Sequence, residues 1–91
     1  MNKIKLTERE LELIEYLAEG FDNKQIAGKM FVTVADVKFH MTTIMNKFCV
    51  KNRTSVAVIA VVTGLVDYRK IMFLKPFLSD SENPVKIEIK N

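Results

Sequence analysis

Apolar residues recur along the first two thirds of the chain at helical spacing. Leu11, Ile14, Leu17 and Ala18 return every few positions, with glutamates mainly on the other side. Ahead of them, Thr7 and Glu10 stand in the T-x-x-E order of a capping box, and Leu6 and Leu11 flank it at the spacing of a hydrophobic staple. Gly20 supplies the stop, because glycine readily adopts the left-handed conformation that often ends a helix. A short second helix follows. Asp22 and Gln25 form its capping pair, and Ile26, Ala27 and Met30 form its buried side. Phe31, Val32 and Thr33 leave room only for a tight turn.

Thr33 then caps a third helix, with Asp36 three residues on. Val37, Met41, Ile44 and Phe48 form one apolar stripe along it. The opposite side holds Ala35, Phe39, Thr42, Thr43 and Asn46, with Lys38 and His40 on the flanks. That outer face is polar apart from one phenylalanine. A fourth helix is predicted from Asn52 or Arg53 to Thr63, ended by Gly64. Val56 to Val62 is apolar nearly all round, so this helix has surplus apolar surface that calls for a partner.

Beyond Val66 the pattern changes. Tyr68 to Leu78 mixes Arg69, Lys70 and Lys75 with Ile71, Met72, Phe73, Leu74 and Phe77, and Pro76 interrupts it. Ser79 to Pro84 is a loop by composition. Val85 to Lys90 alternates strictly, the pattern of a half-buried strand, and a lone strand must pair with something. The expected fold is therefore mainly α: a four-helix domain over residues 1–66 and a C-terminal extension over 67–91 that includes a β-strand. The extension is expected to serve dimerisation or regulation.

Length supports one domain. A core drawn from 91 residues is small, so association would help to stabilise it. The lone cysteine, Cys49, excludes an internal disulfide, fits a reducing cytosol and is expected as a buried turn residue. Met1 to Thr7 lacks the apolar run of a secretory signal, and Val56 to Val62 is too short to span a membrane. A cytoplasmic location and no membrane partner are expected.

The net charge of +3 says little, but its distribution says more. Up to Asp22, six acidic residues face three basic ones. From Asn23 to Arg53, the basic residues Lys24, Lys29, Lys38, Lys47, Lys51 and Arg53 face Asp36 alone. A basic block on a helix-turn-helix reads as a phosphate footprint. No glycine-rich phosphate loop, paired-carboxylate site or nucleophile with a partner base is present, so neither enzyme activity nor a cofactor is expected. His40 lacks the second His or Cys pair that a metal site needs.

Leu6-Thr7-Glu8-Arg9-Glu10, Leu17-Ala18-Glu19-Gly20, Asn23-Lys24-Gln25-Ile26-Ala27, Val37-Lys38-Phe39-His40 and Asn52-Arg53-Thr54 follow one another at set spacings. Together, over roughly residues 5–66, they resemble the LuxR-type (GerE-like) helix-turn-helix domain. The resemblance implies four helices, with the second as scaffold and the third as recognition helix in the major groove of double-stranded DNA. It also implies dimers formed through the fourth helix. Carried over by position, Lys38, Phe39 and Thr42 would face base edges, and Lys24, Thr33, Lys47 and Arg53 would approach phosphates. Members of the family commonly carry a sensing domain in front. This chain has no room for one, so control is expected from abundance, partners or the extension.

Three residues depart from the family pattern. Asp36 stands where threonine is usual, Cys49 where glycine is usual, and Phe39 where an alkyl or polar residue is more common. Asp36 reads as the partner of the Thr33 cap rather than as a base contact. Phe39 would either meet a thymine methyl or pack against the tail or a neighbour. The expected function is a sequence-specific DNA-binding transcription regulator acting as a homodimer. The alternative is an interaction module whose DNA binding Asp36 and Phe39 have weakened, and which heterodimerises with a partner regulator.

Overall fold

A computed structural model describes residues 3–78 and 85–90. Four helices, α1 (Glu8–Ala18), α2 (Asn23–Met30), α3 (Val34–Phe48) and α4 (Arg53–Val62), precede two 3-10 turns, Tyr68–Lys70 and Met72–Phe77. Each of the first three helices starts in a reciprocal capping box: Thr7 with Glu10, Asp22 with Gln25, and Thr33 with Asp36. Each box satisfies two backbone N–H groups that a helix start leaves without partners. The fourth is capped by Asn52, whose Oδ1 accepts the Ser55 N–H at 2.8 Å.

The helix ends divide into two kinds. Gly20 and Gly64 take the left-handed conformation, at φ 87° and 77°. Phe31 and Cys49 take it too, both at φ 57°, although each carries a side chain. Cys49 is exposed rather than buried as expected, because it sits at the left-handed end of α3 where the chain leaves the core.

One core joins all four helices. It is built on Leu13, Ile14 and Leu17 of α1, Ile26 and Met30 of α2, Val37, Met41 and Ile44 of α3, and Val56 and Ala60 of α4. The stripe on α1 differs from the expected one: Leu13 is fully buried and Leu11 only half-buried. Because α1 touches α2, α3 and α4, its buried arc is broad and also takes in Glu10. Arg9 links α1 to α2 by donating to the Met30 carbonyl at 3.1 Å, which satisfies an acceptor in the last turn of α2.

The extension is not a separate appendage. Val66 and Ile71 are buried in the same core, Leu74 packs against it, and Glu19 accepts the Met72 N–H at 3.1 Å. Residues on both sides of the expected boundary at residue 66 therefore contribute to one core. The strand expected over Val85–Lys90 does not form in the single chain, where these residues have no regular secondary structure. Its nearest tie is a hydrogen bond from the Val85 N–H to the Pro76 carbonyl. Pro76 itself lies in a 3-10 turn, which presents no extended backbone for a ladder. The loop expected over Ser79–Pro84 lies outside the described residues.

Candidate nucleic-acid interface

α2 and α3 with the Phe31-Val32-Thr33 turn make a helix-turn-helix. Burial of Val37, Met41 and Ile44 fixes the rotation of α3 and turns Lys38, Phe39, Thr42 and Asn46 outward. Phe39 is 69% exposed, with the His40 ring edge-on at a centroid distance of 5.7 Å. The side chain is thus displayed to solvent at the middle of the recognition helix. The Thr42 hydroxyl donates back to the Lys38 carbonyl at 3.0 Å. With its proton so engaged, the exposed hydroxyl is left as an acceptor, which suits a base amino group.

An open groove of about 400 Å³ runs beside this face, lined in part by Asn23, Lys38, Thr42, Lys51 and Arg53. It brings together three residues expected to touch DNA, Lys38, Thr42 and Arg53. It also adds Lys51, which was counted in the basic block but not singled out. Arg53 is positioned by two bonds, to Asn23 Oδ1 at 2.5 Å and to the Phe21 carbonyl at 3.3 Å. These anchor the start of α4 to the start of α2 and leave further guanidinium donors for a phosphate.

Lys24 and Thr33 lie outside this groove, both exposed, in the first turn of α2 and at the cap of α3. Asp36 is exposed beside Thr33. The Thr33 hydroxyl and N–H hold its carboxyl below the ordinary range, so it remains anionic at the start of the recognition helix. Lys47, expected to approach phosphates, is engaged within the chain. Its ammonium contacts Glu10 Oε1 at 2.6 Å and the Lys5 carbonyl at 2.9 Å, which binds it to α1. Burial pushes the Glu10 carboxyl up, but hydrogen bonds from Lys47 and the Thr7 backbone outweigh burial and hold it below its ordinary value.

Among the described residues no group of three His, Cys, Asp or Glu side chains is placed to hold a metal ion. Among them too, no helix is long and apolar enough to cross a membrane.

Residues 5–60 match the family model described as bacterial regulatory proteins, luxR family. The chain belongs to the LuxR family. Its helix-turn-helix is therefore that family's DNA-binding domain, the module of a transcription regulator. Over 55 residues the chain is 47% identical to the transcriptional regulatory protein LiaR of Bacillus subtilis, covering 60% of this chain and 26% of that protein. Over 63 residues it is 40% identical to the oxygen regulatory protein NreC of Staphylococcus carnosus, covering 69% of this chain and 29% of that one. The crystal structure of the response regulator ChrA, from a heme-sensing two-component system, superposes with a TM-score of 0.66 at 35% identity. That likeness covers 72% of this chain and 33% of ChrA. The LuxR-family chain thus spans about a quarter to a third of the length of these relatives.

Proposed function

We propose that this LuxR-family chain regulates transcription by binding a specific double-stranded DNA sequence as a homodimer, with α3 in the major groove. The observation that carries this reading is the outward face of α3, where Lys38, Phe39 and Thr42 stand beside a groove containing Lys51 and Arg53. Lys38 reaches guanine acceptors, Phe39 meets a thymine methyl, and Thr42 contacts a base edge. Lys24, Thr33, Lys51 and Arg53 approach phosphates, which position the helix without reading sequence. Lys47 acts instead as a strut between α3 and α1.

The homodimer is supported by α4. Val58, Val62 and Leu65 are exposed at intervals of four and three residues, so they form a ridge on one side of the helix and the turn after it. A two-fold pair would set its recognition helices on half-sites about 34–36 Å apart. The role is one of binding rather than catalysis, in the cytoplasm.

A second reading rests on Asp36, anionic and exposed at the start of α3. A carboxylate there opposes phosphate, and the chain would then act by heterodimerising with another regulator. Selection from random DNA followed by a salt titration separates the two. A defined half-site and a steep fall of affinity with salt are expected. No enriched sequence and no salt dependence would favour the interaction module.

A further inference from the structure

We propose that Val85–Lys90 is a strand completed by a second copy of this chain, paired antiparallel to the same segment with Ile87 opposite Ile87. The inference stands on the tail and does not rest on the DNA-binding reading.

The segment has the content of a strand without its partner. Val85, Ile87 and Ile89 alternate with Lys86, Glu88 and Lys90. Ile87 is 79% exposed and Ile89 88% exposed. Among the described residues, the backbone of this segment makes one backbone hydrogen bond, at Val85. Among the described residues the remaining N–H and C=O groups find no backbone partner, which makes an open edge of the kind that accepts another strand.

The charges select the occupant and the register. Residues directly opposite in a ladder share a face, so a slip by one residue sets isoleucine against charge. A parallel pair with a second copy puts Lys86 against Lys86 and Glu88 against Glu88. An antiparallel pair centred on Glu88 puts Glu88 against itself and Lys86 against Lys90. Centred on Ile87, the pair places Lys86 opposite Glu88 twice on one face. The other face then holds Val85 against Ile89 twice and Ile87 against itself. Like charges directly opposite destabilise a sheet and opposite charges stabilise it. Centring on Ile89 also sets Glu88 opposite Lys90 but leaves Val85 and Lys86 outside the paired segments, so the segment is most fully complementary to itself about Ile87.

A two-stranded ribbon also needs cover on its apolar face. Met72, Phe73 and Phe77 are exposed in the turn to which Val85 is tied through Pro76. They supply apolar surface next to the root of the strand.

The test uses the full chain and sedimentation equilibrium. Lys86→Glu and Glu88→Lys each create two like-charge pairs and should weaken the dimer about tenfold. The doubly exchanged chain, Lys86→Glu with Glu88→Lys, should return to within about twofold of the parent. An equimolar mixture of the two single variants should form mixed dimers in preference to either homodimer. In a Cys49→Ser background, Ile87→Cys should oxidise to a covalent dimer. Lys86→Cys should not, because its Cα atoms lie beyond the roughly 7 Å that a disulfide spans. Circular dichroism of these exposed-site variants should match the parent. A parent chain that is monomeric at tens of micromolar overturns the proposal. So do single and double variants that dimerise alike, or positions 86 and 87 that cross-link alike. A partner of different sequence on this edge would leave the mixed pair without its advantage, which also overturns it.

Discussion

The ammonium of Lys47 lies 2.6 Å from Oε1 of Glu10, the same oxygen that accepts the Thr7 N–H at 2.8 Å. One carboxylate thus closes the capping box of α1 and receives the last turn of α3. The position is asymmetric: the Lys47 side chain is partly exposed, whereas that of Glu10 is buried.

Removing the cation leaves that carboxylate without its charge partner. Lys47→Met should lower unfolding free energy by about 1.5–3 kcal/mol, the range for a hydrogen bond to a charged group. Urea denaturation measures it. A loss of only a few tenths would mean that water replaces the ammonium without penalty. If Lys47 instead served phosphates, its removal would reduce the salt slope of DNA binding by about one.

The same site makes stability depend on pH. The folded protein holds the Glu10 carboxyl below its ordinary value of 4.5. A depressed carboxylate contributes stability that is complete above its unfolded value and is lost as pH falls through the folded one. Stability should therefore drop below about pH 4.5 more steeply in the parent than in Glu10→Gln. Denaturation midpoints from neutral pH down to pH 3 check this, and parallel curves would exclude Glu10 as a source of the slope.

Cys49 is a non-glycine residue in left-handed conformation, exposed and at φ 57°. Cys49→Gly removes the clash of Cβ with the backbone and should stabilise the domain by about 0.5–1 kcal/mol. Thermal unfolding should shift upward by a few degrees. An unchanged or lower midpoint would show that the added freedom of the unfolded chain cancels the gain.

On DNA, Lys38→Ala should cost roughly 1–3 kcal/mol at the selected site and relax the preference at one position. Equal losses on selected and random DNA would place Lys38 on the backbone. Asp36→Thr removes an anion from the start of α3 and should strengthen binding to random DNA, most at low salt. It also gives up the carboxylate that accepts the Thr33 N–H, so a small loss of stability should accompany it. Weaker binding with the fold intact would mean that Asp36 makes a favourable contact.

Interactions that act over three or four residues were legible from the order of the residues. All three capping boxes form as read, and the stripe Val37, Met41 and Ile44 faces the core. Phe48, the last member of that stripe, is only partly buried. Interactions across the fold were not legible. Lys47 meets Glu10 across 37 positions and Arg53 meets Asn23 across 30, and no local spacing marks such pairs. The phosphate role that the resemblance implies for Lys47 carries no sign of its contact with Glu10. The exchange of Leu11 for Leu13 has a related cause, since the buried arc of α1 depends on three neighbouring helices. The alternation of the tail was plain, but a ladder requires a second strand, and the single chain supplies none for it among the described residues.

The likeness to the LuxR family model stops at residue 60, yet Ile71 is 2% exposed within the shared core. The segment matched by the family model and the buried core therefore end at different points along this chain. Ile71→Ala should cost about 2–4 kcal/mol, as large-to-small changes in a core do. The N–H groups of Ile71 and Leu74, which donate to the Tyr68 and Ile71 carbonyls, should resist hydrogen exchange along with the helices. A truncation drawn at the edge of the homology would strip away a wall of the interior, and the remainder would unfold at a lower temperature than the whole.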